Sequence, residues 1–118
     1  MTAPRILLVE DESLVALAME DMLADLGCEV VASFAALGPA LAWFAGRASA
    51  LDGALLDVNL GGELVFPLAE ALAAHGVPFV FATAYSALPE ARFPEARVVH
   101  KPVDPGVLGA AVSAFGRG

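Results

Sequence analysis

Four short apolar segments of this chain each end in polar residues that could do chemistry. Glu10 and Asp11 follow one segment, and Asp57, Thr83 and Lys101 follow the other three. If the segments are parallel strands, their carboxyl ends lie along one edge of a sheet, and these side chains gather there. Three carboxylates at one edge would suit a hard cation such as Mg²⁺ (or Mn²⁺), which prefers oxygen ligands.

The remaining polar side chains fit phosphate chemistry. Lys101 can bind a phosphoryl oxygen as a point charge, and the Thr83 hydroxyl can donate a hydrogen bond. Asp57 ends an apolar segment, where an unpaired carboxylate is costly to bury. Each residue alone also has an ordinary structural explanation, such as a helix-dipole partner, a loop cap or a surface charge. Their joint occurrence in this order indicates a site at which a carboxylate is phosphorylated.

Strand-like and helix-like segments alternate along the chain. The predicted strands are residues 5–9, 29–33, 54–58, 77–83 and 97–101, and the predicted helices are residues 14–26, 39–45, 64–74 and 105–115. Residues 59–63 are predicted to form a Gly-Gly loop. This alternation predicts right-handed crossovers and a doubly wound parallel sheet of the α/β class.

The connection between the last two strands departs from this alternation. Pro89 and Pro94 lie close together in it, and neither can lie inside a helix, where proline costs about 3 kcal/mol. A regular alternation would place a fourth helix between these two strands, before the helix at residues 105–115. We therefore predict that this fourth helix is short or disordered.

Composition limits the possible functions. The chain has 118 residues, of which 58% are hydrophobic and 17% charged, which predicts one domain over residues 1–118 with a sheet buried on both faces. A net charge of −8 opposes binding to nucleic acid or to an anionic membrane. No apolar run predicts a membrane span or a signal peptide. Together with the single cysteine, Cys28, this predicts a cytoplasmic protein.

Four segments, LLVEDE, LLDVN, FATAY and HKP, resemble in this order the landmarks of the response-regulator receiver (CheY-like) domain over nearly the whole chain. The resemblance implies a flavodoxin-like (βα)5 fold whose five-stranded parallel sheet has the order 2-1-3-4-5. It also implies that Asp57 is the phosphoacceptor. Glu10, Asp11, Asp57 itself and the backbone carbonyl of Asn59 would then hold Mg²⁺.

The resemblance assigns the other polar residues as well. Thr83 and Lys101 would contact the phosphoryl group, and the bond between Lys101 and Pro102 would be cis. A narrower resemblance links PFVFATAY to the alphaproteobacterial subgroup named for its PFxFATGY (FAT GUY) motif, with Ala84 in place of the glycine. Val98 stands where most receivers have a switch aromatic, which makes Tyr85 the candidate switch residue.

The implied function is that of a stand-alone receiver in two-component or phosphorelay signalling. Asp57 would accept a phosphoryl group from a histidine kinase, with the HWE family as a candidate, or from a histidine phosphotransfer protein. The receiver would promote its own Mg²⁺-dependent phosphorylation and dephosphorylation, without being an enzyme in the usual sense, and would act on a downstream protein partner.

Three alternatives stay open at this point. A dehalogenase-like aspartyl-phosphate phosphohydrolase would carry a second acid two residues after its nucleophile, where this chain has Asn59. A flavodoxin-like electron carrier would need a first loop that attracts a flavin phosphate, whereas the acids at residues 10–12 repel it. A receiver that binds partners without being phosphorylated would not need the complete set of site residues.

Overall fold

The computed structural model describes residues 3–84, 93 and 96–115. The strands in chain order are β1 (Arg5–Val9), β2 (Glu29–Phe34), β3 (Gly53–Asp57), β4 (Asn59–Leu60), β5 (Glu63–Leu64), β6 (Phe79–Thr83) and β7 (Arg97–His100). Five of them form one parallel sheet in the order β2-β1-β3-β6-β7, and β4 pairs with β5 in a separate antiparallel hairpin. The predicted parallel sheet and its strand order are confirmed.

In the part of the chain that the structure describes, four helices cover the two faces of this sheet. They are α1 (Ser13–Asp25), α2 (Leu37–Phe44), α3 (Phe66–Ala74) and α4 (Pro105–Val112), and a 3-10 turn, Ser113–Phe115, follows the last. Helices α1 and α4 pack on one face, while α2 and α3 pack on the other. In β1, Ile6 and Leu8 face the first pair of helices, and Leu7 and Val9 face the second. Because successive side chains alternate between the faces, a strand buried on both sides is apolar throughout.

The β4–β5 hairpin replaces the predicted loop at residues 59–63. Gly61 and Gly62 form its turn with φ values of 66° and 101°, a region that side chains other than glycine rarely adopt. The hairpin also delays the next helix, which begins at Phe66 where residue 64 was predicted, because residues 63 and 64 are paired in β5. Pro67 lies in the first turn of α3, the position that proline tolerates.

The connection between β6 and β7 is described only in part. Residues 85–92, 94 and 95 lie outside the described residues. The short or disordered helix expected between β6 and β7 and the role of Tyr85 therefore stay predictions. Phe93 is described, and its ring lies 5.6–5.9 Å from the rings of Phe66, Phe79 and Phe81. This aromatic cluster attaches the connection to α3 and β6, and it adds to the apolar area that these side chains bury.

Two contacts hold the amino ends of the central strands. Asp52, just before β3, accepts hydrogen bonds from the backbone N–H of Arg5 at 2.8 Å and from its guanidinium Nε at 3.1 Å. The ring of Phe115 lies over Gly53 so closely that a Cβ at residue 53 would collide with it. None of the helices within residues 3–84 and 96–115 combines the length and apolarity needed to cross a membrane.

Candidate functional site

The carboxyl edge of the sheet brings the predicted site residues together. Glu10 and Asp11 come directly after β1, Asp57 ends the adjacent β3, and Lys101 comes directly after β7. Asp11, Asp57 and Lys101 line a cavity of about 400 Å³, together with Asn59, Gly61 and Gly62 among others. The parallel arrangement of the strands therefore places side chains that are distant in sequence around one opening.

Three carboxylates form the core of this site. One oxygen of each of Glu10, Asp11 and Asp57 lies within 4.8 Å of the others. Glu10 and Asp57 are only 2% and 6% exposed, whereas Asp11 is open to solvent. An all-oxygen set with one open side fits a hard divalent cation that retains water ligands. The donor set is thus compatible with the predicted Mg²⁺.

Lys101 supplies the positive charge that faces these acids. Its Nζ lies 2.7 Å from Glu10 Oε1 and 3.2 Å from Asp57 Oδ2. Glu10 Oε1 has no hydrogen-bond partner among neutral groups of the described residues, so this ion pair provides its charge compensation. The pairing between Glu10 and Lys101 was not predicted, since the sequence assigned one residue to a metal and the other to a phosphoryl group.

A backbone hydrogen bond fixes the position of Lys101 at the carboxyl edge of the sheet. Its N–H donates to the carbonyl oxygen of Thr83 at 2.9 Å, which continues the β6–β7 ladder by one residue. The peptide bond between Lys101 and Pro102 is cis, as the resemblance implied. From its place after β7, the long side chain of Lys101 reaches across β6 towards β3, where its ammonium group contacts Asp57.

The protonation of Asp57 and Lys101 reflects this crowding. Burial raises the pKa of Asp57 to about 7, with further increases from Asp11 and the charge of Glu10, which outweigh the opposing effect of Lys101. Burial lowers the pKa of Lys101, but the hydrogen bond to Glu10 and the nearby charges raise it above its ordinary value overall. Lys101 therefore stays charged, while Asp57 near neutral pH is shared between its acid and carboxylate forms.

A short chain of hydrogen bonds connects Asp57 to the hairpin. Asp57 Oδ1 accepts a long hydrogen bond from the backbone N–H of Asn59 at 3.4 Å. The Asn59 side-chain oxygen in turn accepts from the Gly62 N–H at 2.6 Å. The role of the Asn59 side chain was not predicted, although Asn-Leu-Gly-Gly-Glu carries the Gly-Gly signature of a two-residue turn.

The remaining predicted residues lie beside the acid cluster. Thr83 ends β6, is 1% exposed, and comes one residue after Ala82, the residue paired with Asp57. Val98 is paired with Phe81 and packs partly buried on the face covered by α2 and α3. Tyr85 lies outside the described residues. The structure therefore gathers Asp11, Asp57, Asn59 and Lys101 around one cavity, with Glu10 in contact with Lys101. Thr83 lies on the adjoining strand.

The raised pKa of Asp57 predicts how stability depends on pH in the absence of divalent cations. Between about pH 4 and pH 7 the folded protein keeps a proton on Asp57 that the unfolded chain has released, so the free energy of unfolding falls as pH rises. A pKa shift of this size corresponds to ~4 kcal/mol for a group fully excluded from solvent. Because the cavity is open to solvent, we expect the free energy of unfolding to fall by only about 1–2 kcal/mol.

Urea denaturation in a chelator at about pH 4 and about pH 8 measures this difference. In Asp57→Asn the fall in this window should largely disappear. An equal pH dependence in the two proteins would show that Asp57 does not titrate in the window.

No protein-family model and no curated protein sequence matches the chain, but solved structures do. SdrG from Sphingomonas melonis Fr1 is 40% identical, with 96% of each chain covered and a TM-score of 0.82. A BeF3-activated conformation of SdrG, from Pseudomonas melonis Fr1, is 39% identical, with 98% of each chain covered and a TM-score of 0.77.

Two further structures extend this similarity. The signal receiver domain of a modulated diguanylate cyclase from Desulfovibrio desulfuricans G20 is 26% identical, with 96% of this chain and 93% of that chain covered and a TM-score of 0.82. The response regulator PhyR from Brucella abortus is 31% identical at a TM-score of 0.78, with 95% of this chain covered. This chain spans 47% of PhyR. The similarity to SdrG over 96% of both chains, on the receiver fold and with the acid cluster in place, shows that this chain belongs to the receiver-domain family of response regulators.

Proposed function

We propose that this protein is a phosphorylation switch in which Asp57 accepts a phosphoryl group from a phosphohistidine. The observation that carries the proposal is the ion pair of Lys101 with Asp57, 3.2 Å long, inside a cluster of three carboxylates. A carboxylate beside a fixed ammonium group and a cation site is equipped to attack a phosphoryl group, whose negative oxygens need both positive charges.

The chain's own residues would carry the reaction. A carboxylate oxygen of Asp57 forms a bond to phosphorus as the bond from phosphorus to the histidine nitrogen breaks, and that nitrogen keeps the electron pair and takes a proton from water. Lys101 would exchange its contact with Asp57 for a phosphoryl oxygen, and Thr83 would donate its hydroxyl hydrogen bond to another. Mg²⁺ (or Mn²⁺) bound by Glu10, Asp11, Asp57 and the Asn59 carbonyl would neutralise charge on the phosphoryl oxygens.

The partners follow from this chemistry. The donor would be a histidine kinase, with the HWE family as the candidate, or a histidine phosphotransfer protein. The phosphorylated receiver would act by binding a downstream protein or by passing the phosphoryl group on. We propose that it does so in the cytoplasm and that residues 1–118 form one receiver domain. The BeF3-activated conformation of SdrG supports this proposal, because beryllium trifluoride is a chemical mimic of a phosphoryl group on a carboxylate.

Phosphorylation would be coupled to partner binding without a switch aromatic on β7, in keeping with the resemblance to the FAT GUY subgroup. Val98 is too small to act as a rotating aromatic switch, and it packs against the core. We propose that Tyr85, two residues after Thr83, takes over the signalling role through the connection that Phe93 attaches to the aromatic cluster. An order–disorder change of this connection would then replace the rotation of an aromatic side chain.

Labelling with a small phosphodonor tests the proposal directly. We expect acetyl phosphate or phosphoramidate with Mg²⁺ to add one phosphoryl group, detected by intact mass and lost on treatment with hydroxylamine, as expected of an acyl phosphate. A chelator should slow the labelling by at least about 100-fold, since the cation supplies several kcal/mol of charge stabilisation. Labelling that proceeds equally well in the chelator would contradict the proposed site, and no labelling at all would favour a receiver that acts without phosphorylation.

A further inference from the structure

The turn of the β4–β5 hairpin forms one wall of the cavity above Asp57. Gly61 and Gly62 both line it, and both are exposed, whereas Asp57 is 6% exposed. Asp57 therefore lies deep in the cavity and the two glycines lie nearer its mouth. An ideal Cβ on Gly61 would lie 3.9 Å from Asp11 Oδ2, while a Cβ on Gly62 would have no heavy atom within 4 Å. A side chain at residue 61, unlike one at residue 62, would start beside the acids.

The structure fixes this wall in place. Asn59 pairs with Leu64 and Leu60 pairs with Glu63, and the Asn59 side-chain oxygen accepts the Gly62 N–H at 2.6 Å. The base of the hairpin is buried through Leu60 at 6% exposure and through Val65. Because the turn is held at its base and by a side chain, a group added at residue 61 would stay in front of the cavity.

The direction of phosphoryl transfer makes this wall relevant to the choice of donor. In an in-line displacement the leaving group lies on the far side of phosphorus from the attacking oxygen, which here is the side towards the mouth. The exposed residues of the cavity lining are Asp11, Glu12, Gly61, Gly62 and Ala84, and the last three of these carry no more than a methyl group. The cavity volume of about 400 Å³ leaves space there for a group larger than the phosphoryl group itself.

We propose that Gly61 is a specificity-determining residue that leaves room for a flat nitrogen ring as the leaving group. This inference rests on the proposed function of Asp57 and extends it from the acceptor to the shape of the donor. In the step concerned, the bond between phosphorus and an imidazole nitrogen breaks as the bond to Asp57 forms, and imidazole leaves after its nitrogen takes a proton from water. A side chain at residue 61 would crowd the imidazole ring while leaving the smaller ammonia of phosphoramidate unhindered.

Two donors that differ only in their leaving group test this proposal. N-phosphoimidazole releases imidazole and phosphoramidate releases ammonia, and both transfer the same phosphoryl group from nitrogen. We expect Gly61→Asn to lower the ratio of the two rate constants, phosphoimidazole over phosphoramidate, by about tenfold, a usual size for steric discrimination in a pocket. Asparagine is chosen because it tolerates positive φ better than other side chains. Binding of beryllium trifluoride with Mg²⁺, followed by ¹⁹F NMR, should be retained because that complex has no leaving group.

Gly62→Asn is the matched control, since it places the same side chain on the other positive-φ residue of the turn. Its ratio of rate constants should stay within about twofold of the unmodified protein, well inside the discrimination expected at residue 61. An unchanged ratio in Gly61→Asn, or an equal fall in both variants, would overturn the proposal. If Gly61→Asn does not fold, Ala84→Val adds bulk to the lining of the same cavity at a residue without positive φ. It should lower the same ratio, and an unchanged ratio there would also overturn the proposal. If the unmodified protein accepts neither donor, the proposed function itself fails, whereas labelling by both donors with no effect of either substitution removes only the role of Gly61.

Discussion

Phosphorylation should fall by at least ~10³-fold when Asp57 is replaced by asparagine, because the variant loses the attacking oxygen while keeping the shape of the side chain. The loss should occur with acetyl phosphate, phosphoramidate and phosphoimidazole alike. Asp57 differs in this from the residues around it, since Lys101 and the cation site assist the reaction but cannot form the bond to phosphorus. Incorporation of the phosphoryl group, measured by intact mass over time, gives the rates.

The stability of the variant separates loss of chemistry from loss of fold. Three carboxylates face one ammonium group in the site, so removing one negative charge relieves repulsion, and Lys101 keeps its partner Glu10 at 2.7 Å. Asp57→Asn should therefore be at least as stable as the unmodified protein near pH 8. Asp21→Asn on the exposed side of α1 is the control for a change of one charge, and it should label normally. Normal labelling of Asp57→Asn would assign the acceptor to another residue.

The second large effect is expected from replacing both acids that follow β1. Glu10→Gln together with Asp11→Asn should abolish Mg²⁺-dependent labelling, because only one carboxylate of the cluster remains. The same change should raise the free energy of unfolding in a chelator by about 1–2 kcal/mol, since close like charges destabilise the folded state. Loss of the ion pair between Glu10 and Lys101 limits this gain. Urea denaturation with and without millimolar Mg²⁺ measures both consequences.

The chain contains its own control for this double substitution. Glu20 and Asp21 repeat the same dipeptide on α1, away from the carboxyl edge of the sheet. Glu20→Gln with Asp21→Asn removes the same charges and should leave both labelling and stabilisation by Mg²⁺ unchanged. If the variant at residues 10 and 11 is labelled at the normal rate, these acids are not the ligands of the cation. A double variant that Mg²⁺ still stabilises would lead to the same conclusion.

The sheet could be predicted from the sequence because each central strand is a continuous apolar segment with few alternatives. Residues 5–9 were predicted and found as β1, and the two-sided burial of Ile6 and Leu7 explains why no polar residue interrupts them. Boundaries were less certain where two kinds of structure compete. Leu64 was predicted to begin α3, but it pairs with Asn59 in the hairpin instead. A turn with two positive-φ glycines allows these strand pairs to form before the helix begins.

The site was predictable in its members but not in its contacts. Parallel strands bring Glu10, Asp57 and Lys101 to one edge whatever the details of packing. Which of them pair depends on how far each side chain reaches along the sheet edge from β1 to β7, and a sequence does not contain that distance. The 2.7 Å pair between Glu10 and Lys101 and the bond from Gly62 to the Asn59 side chain therefore emerged only from the structure. The roles of the site residues in phosphorylation remain predictions for the experiments above.

The packing of Phe115 over Gly53 has a practical consequence for handling the protein. Gly53 begins the strand that Asp57 ends, so Phe115 lies at the opposite edge of the sheet, roughly 13–17 Å from the acids for a strand of this length. Arg5 begins β1 at that same far edge. Residues 5 and 115 therefore both lie on the side of the sheet away from the cavity. Molecules immobilised through a residue at that far edge would present the acidic edge to the solution, where donors and partners can reach it.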